Sequence, residues 1–142
     1  MITVGDFMTR DLVTVKETDD LALAESILRL GGIRHLPVVR GSRLVGLVTQ
    51  RDLLRASVPG AASRAALASD VMSPNPTTVS PESSLADAAR ILLRHKYGCL
   101  PVCEGDGTLV GIITESDFVR FAADVVQDLD MVQAAVTARG DA

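Results

Sequence analysis

The chain has 142 residues, of which 47% are hydrophobic and 23% are charged, and its formal net charge is −4 at pH 7. This composition is that of a globular protein and excludes a disordered chain, while the acidic balance argues against a nucleic acid partner. Aromatic residues make up 3% of the chain, so we expect no aromatic platform for stacking bases. Any ligand must be recognised by aliphatic walls and a few polar groups.

The predicted compartment is the cytoplasm. Residues 1–6 lack the basic stretch that opens a secretory signal, and no apolar run approaches the ~20 residues needed to cross a bilayer, so we expect no membrane partner. Cys99 and Cys103 lie four residues apart on what the pattern predicts to be a turn leading into a strand. With no further cysteine to complete a metal site, we expect both to be reduced and to act as small hydrophobic residues.

The sequence contains an internal duplication. Asp6 recurs as Asp70, an offset of 64 residues that also relates residues 36–38 to residues 100–102, both Leu-Pro-Val. After Gly41 and Gly105 the offset becomes 65, because the second copy has one extra residue in the turn there. We therefore expect four segments. They are a first repeat over residues 1–57, a linker over 58–68, a second repeat over 69–122 and a helical tail over 123–142.

Each copy is predicted to fold as βαββα. The apolar residues of the first helix recur with a period near 3.6, and two near-continuous apolar runs joined by a short turn then predict a hairpin. In chain order we expect strands at 12–15, 36–39 and 44–48 in the first copy and at 77–79, 100–103 and 108–113 in the second. A helix follows the first strand of each copy, and another follows each hairpin.

Local signals predict how these helices begin and end. Asp19 or Asp20 and Ser83 or Ser84 are suitable N-caps. Gly31-Gly32 should end the first helix, whereas the second copy has no glycine before Gly98, so its helix should end differently. The alanine-rich composition of the linker is compatible with a short helix. The tail carries an apolar stripe that should pack on the body or on a partner subunit.

One motif follows each hairpin. Residues 46–52 and 111–117 share the pattern Gly-h-h-Thr-x-x-Asp, in which h is apolar. A threonine followed three residues later by an acid is typical of a capping box at a helix N-terminus. The same groups suit a ligand, because a helix N-terminus attracts phosphate and an aspartate can accept hydrogen bonds from ribose hydroxyls. The motif by itself does not choose between these interpretations.

The duplicated βαββα units, with Leu-Pro-Val before the hairpin of each copy and Gly-h-h-Thr-x-x-Asp after it, resemble a tandem pair of CBS domains, named after cystathionine beta-synthase. The resemblance covers nearly all of residues 4–120. It implies an α/β fold in which the two repeats pack through their sheets about a pseudo-two-fold axis and form two clefts. It also implies that the clefts bind adenosyl ligands, with AMP, ADP, ATP, S-adenosylmethionine and NAD as candidates and no required cofactor.

The resemblance also assigns residues to the two clefts. Asp52 and Asp117 would hold ribose hydroxyls, and Thr49 and Thr114 would meet phosphate or ribose oxygens. The implied first cleft comprises Thr14, Val15, Ile33, Arg34, His35, Leu36, Pro37, Thr49, Arg51 and Asp52. The implied second cleft comprises Thr78, Val79, Tyr97, Gly98, Cys99, Leu100, Pro101, Thr114, Ser116 and Asp117.

Charge distinguishes the two clefts. The first offers Arg34, His35 and Arg51, whereas the second offers Glu115 with Lys96 nearby, so Coulomb attraction should favour a polyphosphate in the first. Outside the clefts, we expect His95 to be solvated at a helix end. Met8 and Met72 should pack at the entry to each repeat.

No nucleophile–base pair, metal-ligand cluster or phosphate-binding glycine loop with lysine supports catalysis, so we expect no enzyme activity. The first functional hypothesis is a regulatory module that binds an adenosine nucleotide and modulates an unknown partner protein, as a homodimer. The alternative is a structural dimerisation or scaffold module whose clefts do not function.

Overall fold

A computed structural model describes residues 1–56 and 67–140 of the chain. Most of the predicted linker lies outside the described residues. The first part of the chain contains α1 (Val4–Phe7), β1 (Val15–Lys16), α2 (Leu21–Gly31), β2 (His35–Arg40), β3 (Arg43–Thr49) and α3 (Gln50–Ala56). The second part contains α4 (Ala68–Val71), β4 (Ser73–Pro74), α5 (Leu85–His95), β5 (Cys99–Cys103), β6 (Leu109–Thr114) and α6 (Glu115–Gly140).

The predicted α/β class is confirmed, and each repeat is built on an antiparallel hairpin. In the first repeat β2 pairs with β3, β1 lies parallel to β2, and β4 lies antiparallel to β3, which gives the order β1-β2-β3-β4. In the second repeat β5 pairs with β6, and single bridges to Val79 and Thr9 stand where β1 and β4 stand in the first. The opening strands are shorter than predicted, since β1 begins at Val15 and the second repeat has a single bridge at Val79. Residues 12, 13, 76 and 77 instead line the cavity described below.

α2 and α5, the corresponding helices of the two repeats, end in the same way. Gly32 after α2 has φ 63°, and Lys96 after α5 has φ 55°, so both lie in the left-handed region. The prediction that the second helix ends differently is wrong. Both helices must reverse direction toward a hairpin strand, and Lys96 adopts this conformation although it has a side chain.

The short helix that opens each repeat packs on the other repeat. Val4 and Met8 belong to the hydrophobic core of the second repeat, whereas Ala68 and Met72 pack in the core of the first. The chain after each short helix then joins the edge of the other repeat's sheet, as β4 does beside β3. The methionines therefore lie across the repeat boundary rather than at the entry to each repeat.

Two glycines leave room for the methionines that pack on the other repeat. Met72 lies against Gly46 in β3, and Met8 lies against Gly111 in β6, so a side chain at either glycine would occupy the space that the methionine fills. The two hairpin turns are also joined, since the Leu44 amide donates to the Gly107 carbonyl at 3.1 Å. The repeats thus share cores, sheet edges and turns.

The closing helix of the second repeat and the predicted tail form one element. α6 runs without interruption from Glu115 to Gly140. Phe118 packs against the core of the second repeat, and Phe121 makes an edge-to-face contact with Phe7 at 4.6 Å between ring centroids. Every residue from 122 to 140 is exposed, so the tail does not pack on the described part of the body.

The glycine–methionine contact makes a prediction about stability. In Gly111→Ala the new Cβ would lie 2.9 Å from Met8 Cγ, so the core must shift, and we expect a loss of about 1–3 kcal/mol in the free energy of unfolding. Urea denaturation measures this loss. Gly105→Ala is the matched control, because its Cβ would meet no described atom within 4 Å. Equal stability of the two variants would contradict the packing described here.

Candidate ligand-binding site

Both copies of the Thr-x-x-Asp motif form capping boxes. The Thr49 amide donates to Asp52 Oδ2 at 2.9 Å, and the Asp52 amide donates to Thr49 Oγ1 at 3.3 Å. Thr114 and Asp117 repeat this arrangement, with the corresponding distances at 2.8 and 3.3 Å. The Thr hydroxyls also donate to the same Oδ2 atoms. The structural interpretation of the motif is therefore correct, and each box uses one of the two carboxylate oxygens.

The second carboxylate oxygen differs between the copies. Arg120 donates to Asp117 Oδ1 at 2.9 Å. For Asp52, hydrogen bonds from the described residues reach Oδ2 and leave Oδ1 as an acceptor. Asp52 is also the one charged residue among the described ones that is buried, at 8% exposure. A buried carboxylate with a spare acceptor oxygen is suited to receive a hydrogen bond from a ligand.

Both motifs open onto one cavity of about 920 Å³ between the repeats. A cavity of this size is large enough for a drug-sized or nucleotide-sized ligand. Of the twenty residues assigned to two clefts, the structure brings fourteen together around this single space. They are Ile33, Arg34, His35, Pro37, Thr49, Arg51, Asp52, Tyr97, Gly98, Cys99, Pro101, Thr114, Ser116 and Asp117.

The other six do not line this cavity. Val15, Leu36, Val79 and Leu100 are buried, and the alternation of side chains along their strands turns them into the hydrophobic cores. Thr14 lies outside the cavity lining, and Thr78 faces a separate groove beside α5. The opening segments reach the cavity one or two residues earlier than expected, through Leu12, Val13, Pro76 and Thr77.

Sequence reasoning missed several polar residues of the cavity. Arg55 and Arg120 lie about one helical turn after the motif aspartates and line the cavity, as do Gln50 and Asn75. The i+3 spacing from Asp52 to Arg55 and from Asp117 to Arg120 places these side chains on the same helix face. That spacing is the signal that could have found them.

His35 connects the two halves of the cavity. Its imidazole lies against Gly98 of the other repeat, where a side chain would collide with it. Burial lowers the pKa of His35, the Glu115 carboxylate opposes this shift, and Arg34 adds to it. His95, by contrast, is exposed at the end of α5 and stacks on Tyr97 with 5.2 Å between ring centroids.

The cysteines are free thiols that are buried at the two ends of β5, rather than on a turn before it. Burial raises the pKa of Cys99 to about 12 and also raises the pKa of Cys103. Both are therefore protonated at neutral pH, and their thiols are poor nucleophiles.

The cavity carries more cations on its first-repeat side. Arg34, Arg51 and Arg55 outnumber the first-repeat carboxylates Asp11 and Asp52, whereas Lys96 and Arg120 of the second repeat are balanced by Glu115 and Asp117. Residues 1–56 and 67–140 contain no group of three or more His, Cys, Asp or Glu side chains that could hold a metal ion. None of the helices in these ranges is long and apolar enough to cross a membrane.

The fold and the site define a two-repeat α/β module whose halves share one ligand-sized cavity. A model of the CBS domain matches residues 4–59 and 68–124, so the chain belongs to the CBS domain family. The family resemblance deduced from the repeated motifs is thereby confirmed.

Two solved structures are similar over almost their whole length. CBSX2 in complex with AMP, a protein of Arabidopsis thaliana, is 36% identical with a TM-score of 0.81, over 88% of this chain and 98% of that one. A putative acetoin utilization protein, AcuB from Vibrio cholerae, is 38% identical with a TM-score of 0.82, over 92% and 97%.

Another relative is much longer than this chain. The inosine-5'-monophosphate dehydrogenase of Korarchaeum cryptofilum is 38% identical over 111 residues, which are 78% of this chain but 22% of that protein. The chain therefore spans about a fifth of this relative's length.

The environment of His35 makes a prediction about pH. Because its pKa is lowered from 6.5 in the folded protein, its contribution to stability is complete above about pH 6.5 and is lost as the pH falls toward the folded-state pKa. We expect the free energy of unfolding to fall as the pH drops below about 6.5, and to fall less steeply in His35→Gln. The control is His95→Gln, which removes an exposed histidine and should retain the wild-type slope. Equal slopes for wild type and His35→Gln would refute the assignment.

Proposed function

We propose that this chain is a regulatory module that binds an adenosine nucleotide in the cavity between its repeats. The observation that carries this proposal is the buried Asp52, which lines a cavity large enough for a nucleotide and whose capping box uses Oδ2, so that Oδ1 remains as an acceptor. The AMP complex of the similar protein CBSX2 supports the choice of ligand.

The residues around Asp52 suit the three parts of such a ligand. Asp52 Oδ1 accepts hydrogen bonds from ribose hydroxyls, as carboxylates do in dinucleotide folds. Arg34 and Arg51 pair with the phosphate, and Ile33 and Pro37 form the apolar wall for adenine. This arrangement needs no aromatic side chain, in keeping with an aromatic content of 3%.

We assign the higher affinity to the Asp52 side of the cavity. On the other side a ribose hydroxyl would have to share or displace the bond that Arg120 makes to Asp117, and Glu115 would repel a phosphate. The Arg120–Asp117 pair is largely exposed on the arginine side, so it weakens binding there without abolishing it. A nucleotide with more phosphates should strengthen the preference.

The output of the module is a change in a partner protein. Both repeats line the cavity, so a ligand that contacts both favours one relative arrangement of the repeats over others. We place the chain in the cytoplasm, as a homodimer that acts without catalysis of its own. ADP, ATP, S-adenosylmethionine and NAD are the other candidate ligands. The alternative function is a dimerisation scaffold with an empty cavity.

A thermal-shift series separates the regulatory module from the scaffold. A ligand at about 100 times its dissociation constant adds about 2.7 kcal/mol to the free energy of unfolding, which raises the melting temperature by several degrees. We expect AMP to do so, with ADP, ATP, S-adenosylmethionine and NAD tested beside it. If none of the five moves the melting temperature, the scaffold is the better description.

Substitution of the two aspartates tests the assignment within the cavity. Removing one charged acceptor that a ribose uses costs about 1.5–3 kcal/mol, so Asp52→Asn should weaken AMP binding roughly 10-fold or more, as measured by calorimetry. Asp117→Asn should have a smaller effect. The matched control is Asp6→Asn, since Asp6 caps α1 by the same kind of bond, from the Thr3 amide at 2.9 Å, but lies outside the cavity.

This control separates a binding defect from a folding defect. Asp6→Asn should lower the melting temperature about as much as Asp52→Asn does, while its AMP affinity remains that of the wild type. An Asp52→Asn variant that binds AMP as tightly as the wild type would show that the ribose assignment is wrong.

A further inference from the structure

One histidine lines the cavity among the residues that the structure describes, and it belongs to the first repeat. His35 begins β2 and lies opposite Thr49 of β3 in the antiparallel hairpin. Residues paired in this way project their side chains to the same face of the sheet. The imidazole therefore lies on the face that carries the first capping box, beside the threonine that bonds to Asp52.

The same imidazole also reaches the second motif. It lies against Gly98, where a side chain would collide with it. The Gly98 carbonyl in turn accepts a hydrogen bond at 3.2 Å from the amide of Glu115, the first residue of α6. His35 thus lies between the two motifs, at the boundary between the repeats.

The second repeat has no counterpart to this histidine. The offset of 64 residues places Cys99 at the position of His35, and Gly98 at the position of Arg34. Burial raises the pKa of Cys99 to about 12, so its thiol stays protonated at neutral pH. Histidine is the side chain whose charge ordinarily changes between about pH 5 and 8. Among the described lining residues, His35 is therefore the one of this type.

Charged groups of both signs surround the imidazole. Burial lowers the pKa of His35, the Glu115 carboxylate raises it, and the guanidinium of Arg34 lowers it. Near neutral pH the imidazole is therefore mainly neutral. The further charged residues that line the cavity are Arg51, Asp52 and Arg55 of α3, Asp117 and Arg120 of α6, and Asp11 and Lys96.

A bound phosphate changes this balance. The proposed nucleotide pairs its phosphate with Arg34 and Arg51, so the phosphate offsets the arginine charge that opposes protonation of His35. The phosphate also attracts an imidazolium directly, and this attraction is stronger in a partly buried site than in bulk water. A nucleotide therefore binds the protonated form of the cavity better than the neutral form.

We propose that His35 couples nucleotide binding to proton uptake, so that the cavity binds its nucleotide more tightly as the pH falls. This inference rests on the proposed nucleotide site and adds a second signal to it. Linkage is reciprocal, so the factor by which a proton strengthens nucleotide binding is also the factor by which the nucleotide strengthens proton binding. The module then responds to nucleotide and proton concentration together.

Proton NMR measures this coupling at the imidazole itself. The chain has two histidines, so His95→Gln assigns both imidazole signals. We expect saturating AMP to move the midpoint of the His35 titration upward by about 0.5–1 pH unit. His95 is exposed and lies outside the cavity lining, so its midpoint should stay unchanged as an internal reference. An unchanged His35 midpoint with AMP bound would overturn the proposal.

Calorimetry measures the coupling as an affinity. The phosphate of AMP itself titrates near pH 6, so the wild type is compared with His35→Gln, in which the part due to the ligand remains. Between about pH 7.5 and 5.5, we expect the AMP affinity of the wild type to rise about 2- to 5-fold more than that of His35→Gln. His95→Gln is the matched control and should keep the wild-type pH dependence.

The outcomes separate this inference from the proposed function. If AMP binds but the wild type and His35→Gln show the same pH dependence, proton coupling is wrong and the nucleotide site stands. If AMP fails to bind at either pH, the proposed function is wrong and the coupling falls with it.

Discussion

Met8 of the first repeat lies against Gly111 of the second, and Met72 of the second lies against Gly46 of the first. This reciprocal contact is the constraint on which the rest of the structure depends. Each repeat completes the core and the sheet edge of the other, so neither hairpin is independent of its pair. The same interlocking brings the two Thr-x-x-Asp motifs to one cavity, which explains why two sequence copies form one site.

Within this shared cavity, one motif serves two purposes. The aspartate caps the helix with Oδ2, and its remaining oxygen is available for a different contact, so the structural and functional interpretations are compatible. Near-identical sequence copies still give unequal sites: Arg120 binds Asp117 Oδ1, while Asp52 is more deeply buried and surrounded by more arginines. The inequality arises from the neighbours of the motif and not from the motif itself.

The repeated sequence predicted the α/β class, the two hairpins and both motif aspartates, because periodicity and capping chemistry are local. It did not predict which repeat Met8 would contact, since an exchange between two similar cores leaves the local pattern unchanged. The left-handed conformation of Lys96 was missed for a related reason. It is imposed by the reversal of the chain after α5 and not by the type of residue at this position. In the site, the predicted cavity residues of the opening segments lie one or two positions too late in the sequence. Val15 and Val79 are in the cores, and Val13 and Thr77 line the cavity.

The structure of a crystal grown with saturating AMP tests the role of Asp52 most directly. The geometry of the cavity predicts one well-ordered nucleotide on the first-repeat side, with a ribose hydroxyl about 3 Å from Asp52 Oδ1 and the phosphate beside Arg34 or Arg51. A cavity without nucleotide, or a nucleotide whose ribose lies away from Asp52, would contradict it.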